Sequence, residues 1–117
     1  MVKPNLGILI KPASHDCNMA CPYCYYRPVE ALYPSVPRPR MSLQTFEAVC
    51  AQYQALHPVE FKVSWQGGEP TLMGVDFFRK AVELQEKYRQ KSQQVSNSFQ
   101  TNAVLLDENW CRFLHQN

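Results

Sequence analysis

Three thiols crowd into one short stretch of this chain, Cys17-Asn-Met-Ala-Cys21-Pro-Tyr-Cys24. Cysteines this close on a single loop can wrap several corners of an iron–sulfur cube, whose irons are usually held by four thiolates. Three ligands leave the fourth iron open, and an open iron can bind and activate a small molecule. A second reading uses the same residues: zinc held by His15 with the three cysteines, as a tetrahedral structural site. Zinc ligands more often come as two separated pairs than as one tight triplet. Chance clustering of core cysteines suits this loop poorly, because it is rich in proline and polar residues. The chain has five cysteines, an odd number that fits a disulfide framework badly. Cys50 and Cys111 fall on apolar helix positions and are expected in the core. His15 precedes the cysteine loop and could hydrogen-bond a cluster sulfur, but an ordinary loop role is the favoured reading. His57, beside Pro58, reads as a helix C-terminus, and His115 is assigned nothing.

A second motif, Gly67-Gly68-Glu69-Pro70, reads as a turn. Two glycines let the backbone approach a ligand with no Cβ in the way, and the proline fixes the exit. Alone, a Gly-Gly turn is weak evidence. Its weight comes from its place, at the end of a predicted strand and one strand–helix unit after the cysteines.

The elements that position these motifs follow from periodicity. Residues 6–13 form a short apolar run bounded by turn formers, as in a buried strand. The stretch from His15 to Arg40 contains five prolines and reads as a long loop with at most a short helical turn. Ser42 caps a helix running to about Leu56, stopped by Pro58. Residues 59–66 alternate, with Val59, Phe61, Val63 and Trp65 set against Glu60, Lys62, Ser64 and Gln66. A second helix covers about Val75 to Arg89, a third strand residues 95–101, and Asp107 caps a third helix. Three strand–helix units in a row predict an α/β fold with a parallel sheet and outer helices.

Parallel strands buried on both faces read as continuous apolar runs. Here Lys62, Ser64, Gln66, Ser98 and Gln100 make one face polar, which fits the hydrated lumen of a wide or incomplete barrel. A full eightfold barrel takes about 250 residues, so 117 residues hold only an opening (βα)3 portion of a partial TIM-type barrel. The net charge of +2 gives no reason to expect nucleic acid. No stretch approaches the roughly 20 apolar residues of a membrane span. No cleavage site follows the N-terminal apolar run, so a cytoplasmic protein without a signal peptide is expected.

At this point the chain resembles a known family. The C-x3-C-x2-C spacing with Tyr23 before the last cysteine is similar to that of radical S-adenosylmethionine (SAM) enzymes, and Gly67–Pro70 looks like their GGEP motif. The longer pattern narrows the likeness: Lys11-Pro-x-Ser-x-Asp-Cys17-Asn, Cys24-Tyr-Tyr26, Met41-Ser42, Trp65-Gln-Gly-Gly-Glu-Pro-Thr-Leu72 and Ser98-Phe-Gln-Thr-Asn102. These resemble the N-terminal part of anaerobic sulfatase-maturating enzymes of the SPASM type. Related enzymes that crosslink peptides share the opening motifs. The family usually has Gly where this chain has Ala103.

The resemblance implies a 4Fe-4S cluster on Cys17, Cys21 and Cys24, with the open iron chelated by the methionine moiety of SAM. It places Tyr23, Tyr26, Gly67, Gly68, Glu69 and Pro70 at the cofactor, with Tyr23 near the adenine. Gln66 and Asn102 are placed toward the substrate. A 5′-deoxyadenosyl radical is then expected to oxidise a Cys or Ser of a sulfatase polypeptide to Cα-formylglycine, with electrons from a reductant such as flavodoxin or ferredoxin. Residues 1–117 correspond to the start of the radical SAM domain. The remaining barrel, the catalytic acid and a cysteine-rich domain with two further clusters have no counterpart in the chain, which is therefore expected to be inactive alone.

Overall fold

The computed structural model describes residues 2–117; Met1 lies outside them. Three strands, β1 (Ile8–Ile10), β2 (Phe61–Trp65) and β3 (Val95–Phe99), pair in parallel in the order β1-β2-β3. The helices α1 (Leu43–Ala55), α2 (Val75–Tyr88) and α3 (Glu108–Gln116) alternate with them. Both helix starts expected from sequence are present. The Ser42 hydroxyl accepts from the Thr45 N–H at 3.0 Å, and the Asp107 carboxylate from the Trp110 N–H at 2.9 Å. Each satisfies a backbone donor that the helix itself leaves open. A 3-10 helix over Arg27–Leu32 is the only helical turn described within the long proline-rich loop.

The strands are shorter than the alternation predicted, but their parity holds. Phe61, Val63 and Trp65 are buried against the helices, while Lys62 is exposed. Val59, expected to join the inner face, lies before β2 and is exposed. Register carries this parity across the sheet: Leu9, Ser64 and Ser98 stand abreast. Leu9 and Ser98 are exposed, and the Ser98 hydroxyl donates to Ser64 at 2.8 Å. One sheet face is therefore apolar and covered, and the other carries mostly polar side chains on an open sheet.

Trp65 centres the core, with ring centroids 5.1 Å from both Phe46 of α1 and Phe78 of α2. Phe78 in turn packs on Phe99 and Trp110, which draws in β3 and α3. Phe46 and Phe61 are fully buried. Polar side chains thread the same layer. The Trp65 indole donates to Asn97 Oδ1 at 2.9 Å, and Asn97 Nδ2 donates to the fully buried Gln85 at 2.9 Å.

Cys50 is in this core, and burial pushes its thiol up to about 12, which keeps it protonated and inert. Cys111, also expected there, is exposed. The buried stripe of α3 runs through Trp110 and Phe113, three residues apart, and Cys111 falls to one side of it. All five cysteines are free.

Candidate functional site

The cysteine loop leaves the C-terminal end of β1 and is shaped by successive tight turns. Ser14 N–H donates to the Lys11 carbonyl and Asp16 N–H to that of Ala13, both at 3.0 Å. Further on, Cys24 N–H donates to the Cys21 carbonyl at 3.1 Å, and the Arg27 guanidinium closes onto the Ala20 carbonyl at 3.1 Å. An ion pair between Arg40 and Asp16 at 2.8 Å ties the far end of the loop to its start. Cys17, Cys21 and Cys24 then line one cavity of about 210 Å³, together with His15, Tyr26 and Gly68. Among the described residues, no three His, Cys, Asp or Glu side chains converge on a single metal-ion position. The thiols are set around a cavity wall instead.

The Gly-Gly turn packs closely against the chain just before Cys17. A Cβ on Gly68 would lie 2.0 Å from the Asp16 carbonyl oxygen and 2.7 Å from that of His15. On Gly67, whose φ is +117°, it would lie 2.8 Å from the Ser14 carbonyl oxygen. The close approach that the glycines permit is to the backbone just before Cys17. Two hydrogen bonds fasten it: Gly68 N–H to the Ser14 carbonyl at 2.7 Å, and Glu69 N–H to the Asp16 carbonyl at 2.8 Å. The turn after β2 is a strap across the root of the cysteine loop.

Glu69 is likewise committed within the protein. It is 1% exposed. One carboxylate oxygen accepts from the Thr71 N–H and the Thr71 hydroxyl, the other from the Asn102 N–H, and the Thr101 hydroxyl reaches both. These contacts use the acceptor sites a carboxylate has. The Asn102 side chain is engaged too, with Nδ2 donating to Asn18 Oδ1 at 2.8 Å and lying 3.8 Å from the Cys17 sulfur. Its Oδ1 accepts from the Val104 N–H. Asn102 therefore bridges the end of β3 to the cysteine loop.

The sulfur of Cys17 also accepts from the Met19 N–H at 3.4 Å. Tyr26 is half-buried at the cavity, with the Lys11 ammonium 3.6 Å from its ring centroid. Tyr23 turns outward and is 86% exposed, and the neighbouring Cys21 side chain raises its phenol above the ordinary tyrosine range. Gln66 stands beyond β2, where its side-chain amide donates to Gln100 at 2.8 Å. Pro70 is buried at the start of a 3-10 turn over Pro70–Met73.

The family model described as "Radical SAM superfamily" matches residues 12–117. The chain belongs to the radical SAM superfamily. Among curated proteins it is 39% identical to a cysteine-type anaerobic sulfatase-maturating enzyme of Clostridium perfringens, over 97% of this chain and 31% of that protein. It is also 39% identical to a serine-type anaerobic sulfatase-maturating enzyme of Klebsiella pneumoniae, over 93% of this chain and 27% of that protein. The fold matches the solved structure of native anSMEcpe with bound AdoMet and Cp18Cys peptide at a TM-score of 0.82, with 38% identity over 97% of this chain and 29% of that one. The chain spans about a third or less of the length of the relatives it matches.

For a radical SAM protein the decisive question is whether these residues suit a cluster, and the donor set does. Three thiols share one cavity with an imidazole whose two nitrogens are buried and have no hydrogen-bond partner. Sequence reading favours an ordinary loop role for that imidazole, His15, with a hydrogen bond to a cluster sulfur as the alternative, and does not foresee its burial. It also missed Thr71 and Thr101, whose hydroxyls make the burial of Glu69 possible. The available signal was two threonines flanking recognisable motifs, at Glu-Pro-Thr71 and Gln-Thr101-Asn.

Proposed function

We propose that this chain is the cluster-bearing opening part of an anaerobic sulfatase-maturating enzyme acting in the cytoplasm. The observation that carries the reading is the joint placement of Cys17, Cys21 and Cys24 on one cavity, braced by the Gly67–Pro70 turn. Similarity to maturating enzymes along nearly the whole chain supports the substrate class. Relatives of both the cysteine and serine type match at equal identity, so either side chain is a candidate target.

The three cysteine thiolates hold a 4Fe-4S cluster, and Tyr23, Tyr26 and the backbone of Gly67–Pro70 contribute to the SAM site. When bound, cluster and SAM would supply a 5′-deoxyadenosyl radical able to take one hydrogen atom from the target side chain, the second electron of the oxidation to Cα-formylglycine leaving to a further iron–sulfur cluster of the kind the family carries. The protein's work is placement and shielding. Glu69 acts at second hand, holding Thr71 and Asn102 so that the strap and the loop keep their spacing. Gln66, at the end of a β2 register that faces the open side of the sheet, is assigned to the substrate. A flavodoxin- or ferredoxin-class protein supplies the electron.

The test uses the protein carrying this chain, loaded with iron and sulfide without oxygen and given SAM, dithionite and sulfatase peptides with Cys or Ser at the target position. Release of 5′-deoxyadenosine with an aldehyde on the peptide is expected, read by mass spectrometry. A crosslinked peptide in place of the aldehyde would move the protein to the peptide-crosslinking relatives. A loaded cluster that releases no 5′-deoxyadenosine with either peptide would overturn the assignment.

A further inference from the structure

His15 is 8% exposed, and neither ring nitrogen has a hydrogen-bond partner among the described residues. Leaving a buried polar group unpaired is costly, and such groups in native proteins nearly always have a partner. The ring is held in place rather than adrift. It lies parallel to Tyr33, with centroids 6.0 Å apart and planes 1° off. Its own backbone is pinned between the Asp16–Ala13 turn and the Gly68 strap. The cavity it lines is the one lined by all three cysteines. The charged groups lining the cavity are differently placed to donate: Arg27 is drawn to the Ala20 carbonyl, Asp16 is paired with Arg40, and Glu30 is an acceptor when ionised.

We propose that the His15 ring N–H donates to a sulfur of the cluster and thereby sets how readily that cluster accepts an electron. The proposal rests on the cluster reading given above. Hydrogen bonds to cluster sulfurs are among the factors that set its potential. An N–H dipole aimed at a sulfur stabilises the reduced, more negative cluster, so its removal lowers the potential. Groups that hydrogen-bond a metal's ligands orient them as well as tune them.

The test is a potentiometric titration followed by electron paramagnetic resonance on the anaerobically reconstituted chain, with and without SAM. His15→Phe keeps a ring beside Tyr33 and removes the donor; His15→Asn and His15→Gln restore an N–H at either nitrogen position. A lower midpoint potential is expected in H15F both with and without SAM, with recovery in H15N or H15Q. A potential unchanged in H15F would overturn the proposal. So would a shift confined to samples containing SAM, which would mean that the imidazole serves the cofactor's carboxylate. If H15F fails to hold a cluster, the wild-type chain decides by nitrogen-15 hyperfine coupling after histidine labelling. Of the three histidines only His15 lines the cavity, so coupling to the reduced cluster is expected and its absence overturns the proposal. A wild-type chain that assembles no cluster would instead overturn the reading beneath it.

Discussion

Gly68→Ala is expected to destabilise the chain by about 3 kcal/mol or more and to leave the cysteine loop unable to hold a cluster. The added Cβ meets the Asp16 carbonyl oxygen at 2.0 Å and the Asp16 carbonyl carbon at 2.6 Å, both backbone atoms that cannot rotate away. Either the strap or the loop has to move. Both hydrogen bonds between them, Gly68 to Ser14 and Glu69 to Asp16, are then stretched or lost. Overpacking typically costs 1–3 kcal/mol, roughly, and each lost hydrogen bond about 0.5–1.5 more. Chemical denaturation measures the first effect, and iron and sulfide content after reconstitution the second. Gly74→Ala is the comparison. A Cβ there meets nothing within 4 Å, but φ is +80° and ψ 151°, a region that side chains avoid. It is expected to cost roughly 1–3 kcal/mol in strain while leaving cluster loading unchanged.

Glu69→Gln should cost about 1–3 kcal/mol although it preserves shape, and Glu69→Ala more. The Thr71 and Thr101 hydroxyls can turn and accept from an amide. The two backbone donors cannot. Thr71 N–H points to one carboxylate oxygen and Asn102 N–H to the other, so either orientation of a glutamine amide sets its NH2 against one of them. Alanine leaves all of these donors without an acceptor in a site that is 1% exposed. Denaturation midpoints test the order, with wild type most stable, then Gln, then Ala. A Glu69→Gln chain as stable as wild type would mean that the carboxylate is not the hub holding the turn to the end of β3.

Much of this could be read before any coordinates. The cysteine triplet and the Gly-Gly turn are local patterns whose chemistry depends on spacing along the chain. Alternation over residues 59–66 fixed which side of β2 faces the helices, and parallel pairing carried that choice to Leu9 and Ser98. What stayed hidden depends on contacts between distant segments. Gly68 reads as a residue that lets the backbone approach a ligand, and only the fold shows the Asp16 carbonyl packed against it as well. Glu69 is placed at the cofactor by the resemblance, and its burial is visible only once Thr101, just beyond β3, is seen to bond its carboxylate. His15 lies in a polar loop, where nothing local forecasts burial. Its environment is made by Tyr33, beyond the cysteines, and by the strap after β2. Cys111 fails for a simpler reason, because an apolar residue one step off a helix stripe looks much like one on it.

On the function proposed, Cys17, Cys21 and Cys24 hold a cluster with one iron open to SAM. This is tested most directly by the electron paramagnetic resonance spectrum of the reconstituted, reduced chain, recorded before and after adding SAM. A cubane signal is expected that shifts when SAM is added and disappears when the three cysteines are replaced by alanine. A chain that takes up no iron–sulfur cluster yet holds stoichiometric zinc would contradict it.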